Sequence, residues 1–258
     1  MGAVAFDRHI SGEGTLETEW QAWSGLGQVP LVSLDELVPP GCRAVVLAPH
    51  PDDEVIGFGG LLALLAARHN DILVIALTDG EASHPGSQQW PPSRLAKART
   101  GESMAGLHDL GVPPCSHSRL SLPDGKLAGC RELLAQRLSQ LLRPGDVVFP
   151  TWQLDGHPDH EAAGEVTARI CEKLGCRHWQ APVWMWHWAR PGDARVPWST
   201  LHRLALPQNT LRQKTMALAE HQTQLASQDT GAPAVLPGFA LARMLRHFEY
   251  FMPAGAAI

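Results

Sequence analysis

The chain has 258 residues, 44% of them hydrophobic and 18% charged, which excludes a disordered or fibrous protein and indicates a soluble globular one, by default a single domain. Twenty-one Lys plus Arg against 26 Asp plus Glu give a formal charge of −5, so nothing electrostatic points to nucleic acid or an anionic membrane. Five cysteines, at 42, 115, 130, 171 and 176, form an odd set without a CxxC pair. That argues against a disulfide framework and a zinc ribbon, and for a reducing cytoplasm.

Residues 1–41 show no clear hydrophobic period beyond a short predicted helix over 16–24, and no secretory h-region. They end in Val38-Pro39-Pro40-Gly41 and read as an N-terminal extension: a candidate lid, homo-oligomer contact or edge-covering segment. The stretches 43–49, 71–77 and 146–149 are apolar on consecutive residues, as strands buried on both faces are. The apolar run over 55–67 is too short and Gly-interrupted to span a bilayer; 54–69 instead predicts a helix with acidic residues at its start. Further helices are predicted over 94–109, 131–143 and 161–174, each halted by Gly or Pro. Over 183–188, alternation predicts a strand with Trp184, Trp186 and Trp188 on one face. Core packing is the favoured role for those three, a pocket wall the alternative. Helices over 211–227 and 238–246 follow. The alternation predicts an α/β, Rossmann-like, mostly parallel sheet with helices on both faces, in one domain over 1–258.

The chain holds 13 His, and two clusters of them follow predicted strands. His50-Pro51-Asp52-Asp53-Glu54 stands where a strand ends and a helix begins, the edge at which open parallel sheets bind ligands. His50 offers an imidazole nitrogen and Asp53 a carboxylate oxygen, and a histidine from elsewhere completes a three-ligand site with an open position for water. His157-Pro158-Asp159-His160 follows the strand at 146–149. His160 is the natural third ligand, although spacing alone leaves His157 as an alternative. Asp52, pointing away from Asp53, keeps a free carboxylate to take a proton from water at the open position. Either cluster alone reads as a helix cap. The two together, each after a buried strand, point to a metal site. Gly57, Gly59 and Gly60 lie a turn into the helix and do not complete a nucleotide-binding loop; close helix packing explains them better.

At these residues the sequence resembles the PIG-L/LmbE-like family of zinc-dependent N-acetylglucosamine deacetylases. The likeness runs from Val45 to His160 through the two histidine motifs, Gly59-Gly60, Leu77-Thr78-Asp79-Gly80-Glu81, Arg99 with Glu102, Leu110-Gly111-Val112 and Leu122-Pro123-Asp124-Gly125. It implies Zn2+ held by His50, Asp53 and His160, a general base at Asp52 and an electrostatic or general-acid role for His157. It also implies substrate contacts from Arg99 and Asp124. Lys214, His221 and Gln224 resemble, more thinly, a helix that the family uses near its site.

The function expected is hydrolysis of an N-acetyl group from a small-molecule amino-sugar conjugate, with protonated His157 beside the oxyanion. Alternatives are an amidase acting on an inositol-linked or thiol-conjugate amide, a non-catalytic metal-binding domain, and a facial-triad iron oxygenase. An α/β rhythm disfavours the last.

Overall fold

Seven strands hydrogen-bond into one sheet in the order β3-β2-β1-β4-β5-β7-β6. β1 (Ala44–Ala48), β2 (Ile72–Thr78), β3 (His117–Leu122), β4 (Val147–Phe149) and β5 (Arg177–Gln180) run parallel. β6 (His202–Ala205) and β7 (Phe248–Pro253) close one side in antiparallel pairing. This computed structural model describes residues 8–253. The α/β fold expected from the sequence is the fold that forms.

The consecutive apolar residues of β1 are explained by layers on both sides. Val45 and Leu47 face the helices Arg131–Leu141 and Pro158–Leu174, through Leu134, Leu138, Val166 and Ile170. Ala44 and Val46 face Leu61, Leu62 and Leu65 of the helix Gly59–Ala67. Register places Val46 between Val74 of β2 and Phe149 of β4. From β1 the chain winds outward through β2 to β3, then crosses to lay β4 on the opposite side of β1. The C-terminal ends of β1 and β4 therefore flank a topological switch point, where such sheets bind ligands. Both histidine motifs follow these two ends.

Several elements depart from the sequence expectation. The helix predicted over 54–69 is two, Asp53–Ile56 and Gly59–Ala67, broken at Phe58 with φ −139° and ψ 3°. The break lets the second helix lie against the end of β6, where a β-carbon on Gly60 would sit 2.4 Å from Leu206 Cδ2. Its buried first-turn N–H groups at Gly60 and Leu61 donate to the Glu249 carboxylate of β7 at 2.6 and 2.8 Å, and Lys214 Nζ donates to the same carboxylate at 2.6 Å. The helix predicted over 211–227 is likewise two, Gln208–Ala219 and Gln222–Leu225.

The stretch predicted as a strand over 183–188 is instead a single helical turn, Met185–Trp188. Trp186 and Trp188 are buried in an aromatic cluster with Trp20, Trp152 and Tyr250, whereas Trp184 is half-buried. The N-terminal segment belongs to this cluster. Trp20 is fully buried and its Nε1 donates to Trp186 O at 3.0 Å. Arg203 N of β6 donates to Pro30 O, and Val32 N donates to Arg203 O, so residues 30–32 cover the edge strand. Among the described residues no helix is long and apolar enough to cross a membrane.

Gly60→Ala should lower stability by about 1–3 kcal/mol, because the added methyl meets packed Leu206. The control Gly129→Ala, where a β-carbon meets nothing within 4 Å, should stay within about 0.5 kcal/mol. Equal denaturant midpoints for the two variants would refute the close-packing account.

Candidate metal centre and active site

His50 leaves the end of β1 in a turn that closes on itself. Its backbone N–H donates to Asp53 Oδ2 at 2.9 Å, and its Nδ1 lies 3.1 Å from the same oxygen. Between them Asp52 adopts φ 142°, a left-handed conformation that costs a non-glycine residue about 1–3 kcal/mol and is typical of functional turns. After β4, His157 caps the helix Pro158–Leu174: its Nδ1 accepts from Asp159 N at 3.2 Å, and Pro158 occupies the first helical position. His160 projects from that first turn.

Three of the expected ligands converge. Asp53 Oδ2 lies 3.2 Å from His160 Nε2 as well as 3.1 Å from His50 Nδ1. The His50, His157 and His160 rings cluster with centroids 4.8–5.3 Å apart. The hydrogen bonds behind the rings decide which nitrogen of each faces the centre. His160 Nδ1 is held by Asp155 Oδ2 at 2.8 Å, leaving Nε2 buried and without a hydrogen-bond partner. His50 Nε2 faces Asp124 Oδ1 and Asp159 Oδ2 at 3.3 and 3.4 Å. A buried imidazole nitrogen with no donor is costly, and two imidazoles with one carboxylate are a donor set suited to a divalent ion with an open position. The residues present fit a metal.

The charges agree with that fit. Burial opposes protonation of His50, yet Asp124, Asp159 and Asp53 outweigh it and raise its pKa well above the ordinary value. Burial likewise opposes protonation of His160, and Asp53 with Asp155 lifts it to about 9. Asp53 is held well below the usual carboxylate range, because the two imidazoles overcome its burial. The pocket draws in positive charge.

His157 behaves differently. Burial, with His160 and His50 nearby, pushes its pKa down to about 3, and its Nδ1 is committed to accepting a backbone N–H. The low pKa and the engaged Nδ1 favour a neutral ring with Nε2 as its donor over the imidazolium expected from the sequence.

Asp52 lines a cavity of about 260 Å³ together with His50, Asp53, Ser83, Arg99 and Asp124. Its carboxylate is not free, as the sequence reading had it. Oδ2 takes a hydrogen bond from Arg99 Nη2 at 3.0 Å. Burial raises Asp52 to about 7 against the pull of Arg99, within the range useful for a general base. Arg99 is 2% exposed and also donates to Gly80 O and Pro51 O; it braces the Asp52 turn. Asp124 accepts from Ala82 N at 2.8 Å while facing His50, so it orients a proposed ligand as well as lining the cavity. Gln224 lines the cavity, His221 is buried 4.0 Å from Glu54 Oε1, and Lys214 lies beneath, donating to Ile56 O.

Two residues without an expected role organise the centre. Asp155, fully buried, holds His160 and also accepts from the N–H groups of Val183, Trp184 and Met185, each at 2.9 Å. This capping by Asp155 sets the helical turn where alternation suggested a strand. Asp159 accepts from Gly125 N and Leu127 N at 2.8 and 3.0 Å. The available signal was Asp155-Gly156 ahead of the second motif and the aspartate inside it.

Residues 45–171 match the family described as PIG-L, GlcNAc-PI de-N-acetylase. A 1D-myo-inositol 2-acetamido-2-deoxy-alpha-D-glucopyranoside deacetylase of Corynebacterium diphtheriae is 27% identical over 78% of this chain and 83% of its own. A diacetylchitobiose deacetylase of Thermococcus kodakarensis is 32% identical, over 47% of this chain and 46% of its own. The fold is shared with N,N'-diacetylchitobiose deacetylase of Pyrococcus horikoshii, at TM-score 0.63 and 18% identity, over 86% of this chain and 87% of that one. Over residues 45–171 the chain is similar to the PIG-L/LmbE-like deacetylases.

Asp155→Asn should weaken metal binding about 10- to 100-fold, since it disturbs the hydrogen bond that sets the His160 tautomer. Competition with a chelator, read by elemental analysis, measures this; unchanged affinity would remove Asp155 from the centre.

Proposed function

We propose that the chain is a zinc-dependent N-deacetylase that removes acetyl from a 2-acetamido sugar conjugate. The observation that carries the reading is the convergence of His50, Asp53 and His160 beside a cavity that the Asp52 carboxylate, outside that ligand set, also lines. A structural site has no use for that carboxylate, which disfavours a non-catalytic metal-binding domain. The deacetylase names of the relatives support the reaction class.

His50, Asp53 and His160 would hold the ion. When bound, zinc supplies Lewis acidity and lowers the pKa of water towards neutrality. Asp52 takes the proton of the attacking water as its oxygen bonds to the amide carbon. The neutral His157 donates from Nε2 to the oxyanion that develops on the former carbonyl. Asp52 then returns the proton to the departing nitrogen, the C–N bond breaks, and the free amine leaves with acetic acid, which gives up the second water proton to solvent as acetate. Arg99 keeps Asp52 in place and Asp124 keeps His50 in place, both at the cavity wall where sugar hydroxyls would lie. Residues 8–253 act as one domain, and the odd cysteine set supports a reducing, cytoplasmic setting.

Acetate release from glycosides of N-acetylglucosamine should be abolished by chelation and restored by zinc. Asp52→Asn should retain one metal per chain and lose about 10²- to 10⁴-fold in kcat. Full activity in that variant would overturn the role of Asp52. Release of a different acid from inositol-linked or thiol-conjugate amides, without acetate release, would move the substrate to that amidase class.

A further inference from the structure

Next to the catalytic cavity lies a groove of about 190 Å³, lined by Ile10, Trp184, His187, Val235, Pro237 and Phe239 among others. Trp184 and Val235 line both spaces, so the groove continues the cavity over a shared ridge. Among the described residues no charged side chain lines it. The two ring nitrogens of His187 are already engaged, Nε2 with Ser11 O at 3.0 Å and Nδ1 with Arg243 at 3.1 Å.

The groove's outer wall is the N-terminal segment, and it is firmly strapped down. Thr15 N donates to His187 O at 2.9 Å, Thr15 Oγ1 donates to Ala189 O at 2.6 Å, and Arg243 donates to Glu13 O at 3.0 Å. Gly14, with φ +63°, passes so close that a β-carbon would lie 2.5 Å from His187 O. The same segment reaches the loop before His157, where a β-carbon on Gly156 would meet Arg8 O at 2.6 Å. Residues 8–15 are thus a fixed rim of the substrate space.

His50, Asp52, Asp53 and His157 line the cavity and not the groove. An acyl group attached to the carbonyl at the metal centre would lie against those residues. With the acyl group placed there, the group that crosses Trp184 is the far end of the conjugate. We propose that this groove is an aglycone subsite, and that the substrate is an amino-sugar conjugate whose far end carries an uncharged apolar group, aryl or short alkyl. The assignment rests on the deacetylase reading for the position of the amide.

Calorimetric titration of the metal-loaded chain with phenyl and methyl glycosides of glucosamine, neither of which carries an amide to cleave, tests the subsite. Burying roughly 60 Å² of ring surface corresponds to about tenfold in Kd, so the phenyl glycoside should bind at least about tenfold tighter. Phe239→Ala and, separately, Ile10→Asn should each shrink that ratio, with thermal melts confirming that the variants fold. Equal affinities for the two glycosides in the unaltered chain would overturn the proposal. A gain in kcat/KM for an N-hexanoyl over an N-acetyl methyl glycoside, without a phenyl advantage, would overturn it too and assign the groove to the acyl side. A phenyl advantage without any acetate release would leave the subsite standing and defeat the deacetylase reading instead.

Discussion

Four aspartates, Asp53, Asp124, Asp155 and Asp159, are buried around two imidazoles at the switch point of the sheet. Carboxylates taken out of water at such distances repel one another strongly and lose their hydration. Two things offset this: positive charge on or between the imidazoles, and backbone N–H groups aimed at the oxygens. The donors are His50, Ala82, Gly125, Leu127, Val183, Trp184 and Met185. They come from four different loops, so one electrostatic constraint fixes the paths of all of them.

The centre and the cavity wall are consequently one construction. Asp155 holds a proposed ligand with one oxygen and shares that oxygen with the N–H of Trp184, the residue on the ridge of the cavity. Asp124 faces His50 with one oxygen and fixes Ala82 with the other, directly before Ser83 in the wall. A cation bound between the imidazoles relieves repulsion among the same carboxylates that position these wall residues, which ties metal binding to the shape of the substrate space.

Much of this was legible in the sequence, and what was missed has physical reasons. The strands at the centre announced themselves because both faces are covered and every residue is apolar. β3 and β5 did not: His117-Ser-Arg-Leu-Ser-Leu and Arg177-His-Trp-Gln are short, polar and partly exposed, and their pairing depends on neighbours far away in sequence. The two histidine motifs showed the ligand candidates because each is local. Asp155 was silent, since an aspartate before glycine is an ordinary turn signal and its four partners lie 5 to 30 residues onward. The same carboxylate explains the misread tryptophans. Alternation over 183–188 is a weak signal once three consecutive N–H groups have a buried acceptor that favours a helical turn.

The matched region, 45–171, holds every residue assigned to the chemistry. Much of the wall that would choose among substrates lies outside it, in residues 8–15, 183–187 and 224–239. These segments meet through contacts that no short motif encodes: a tryptophan at 20 donating to the carbonyl of 186, an arginine at 243 donating to the carbonyls of 13 and 15. The chemistry requires a fixed set of donors at fixed spacing and so constrains sequence locally. A binding wall requires only shape and polarity, which many sequences supply. Family likeness therefore speaks to the reaction, whereas the particular conjugate has to be read from how this chain's own N-terminal segment is laid against the Trp184 ridge.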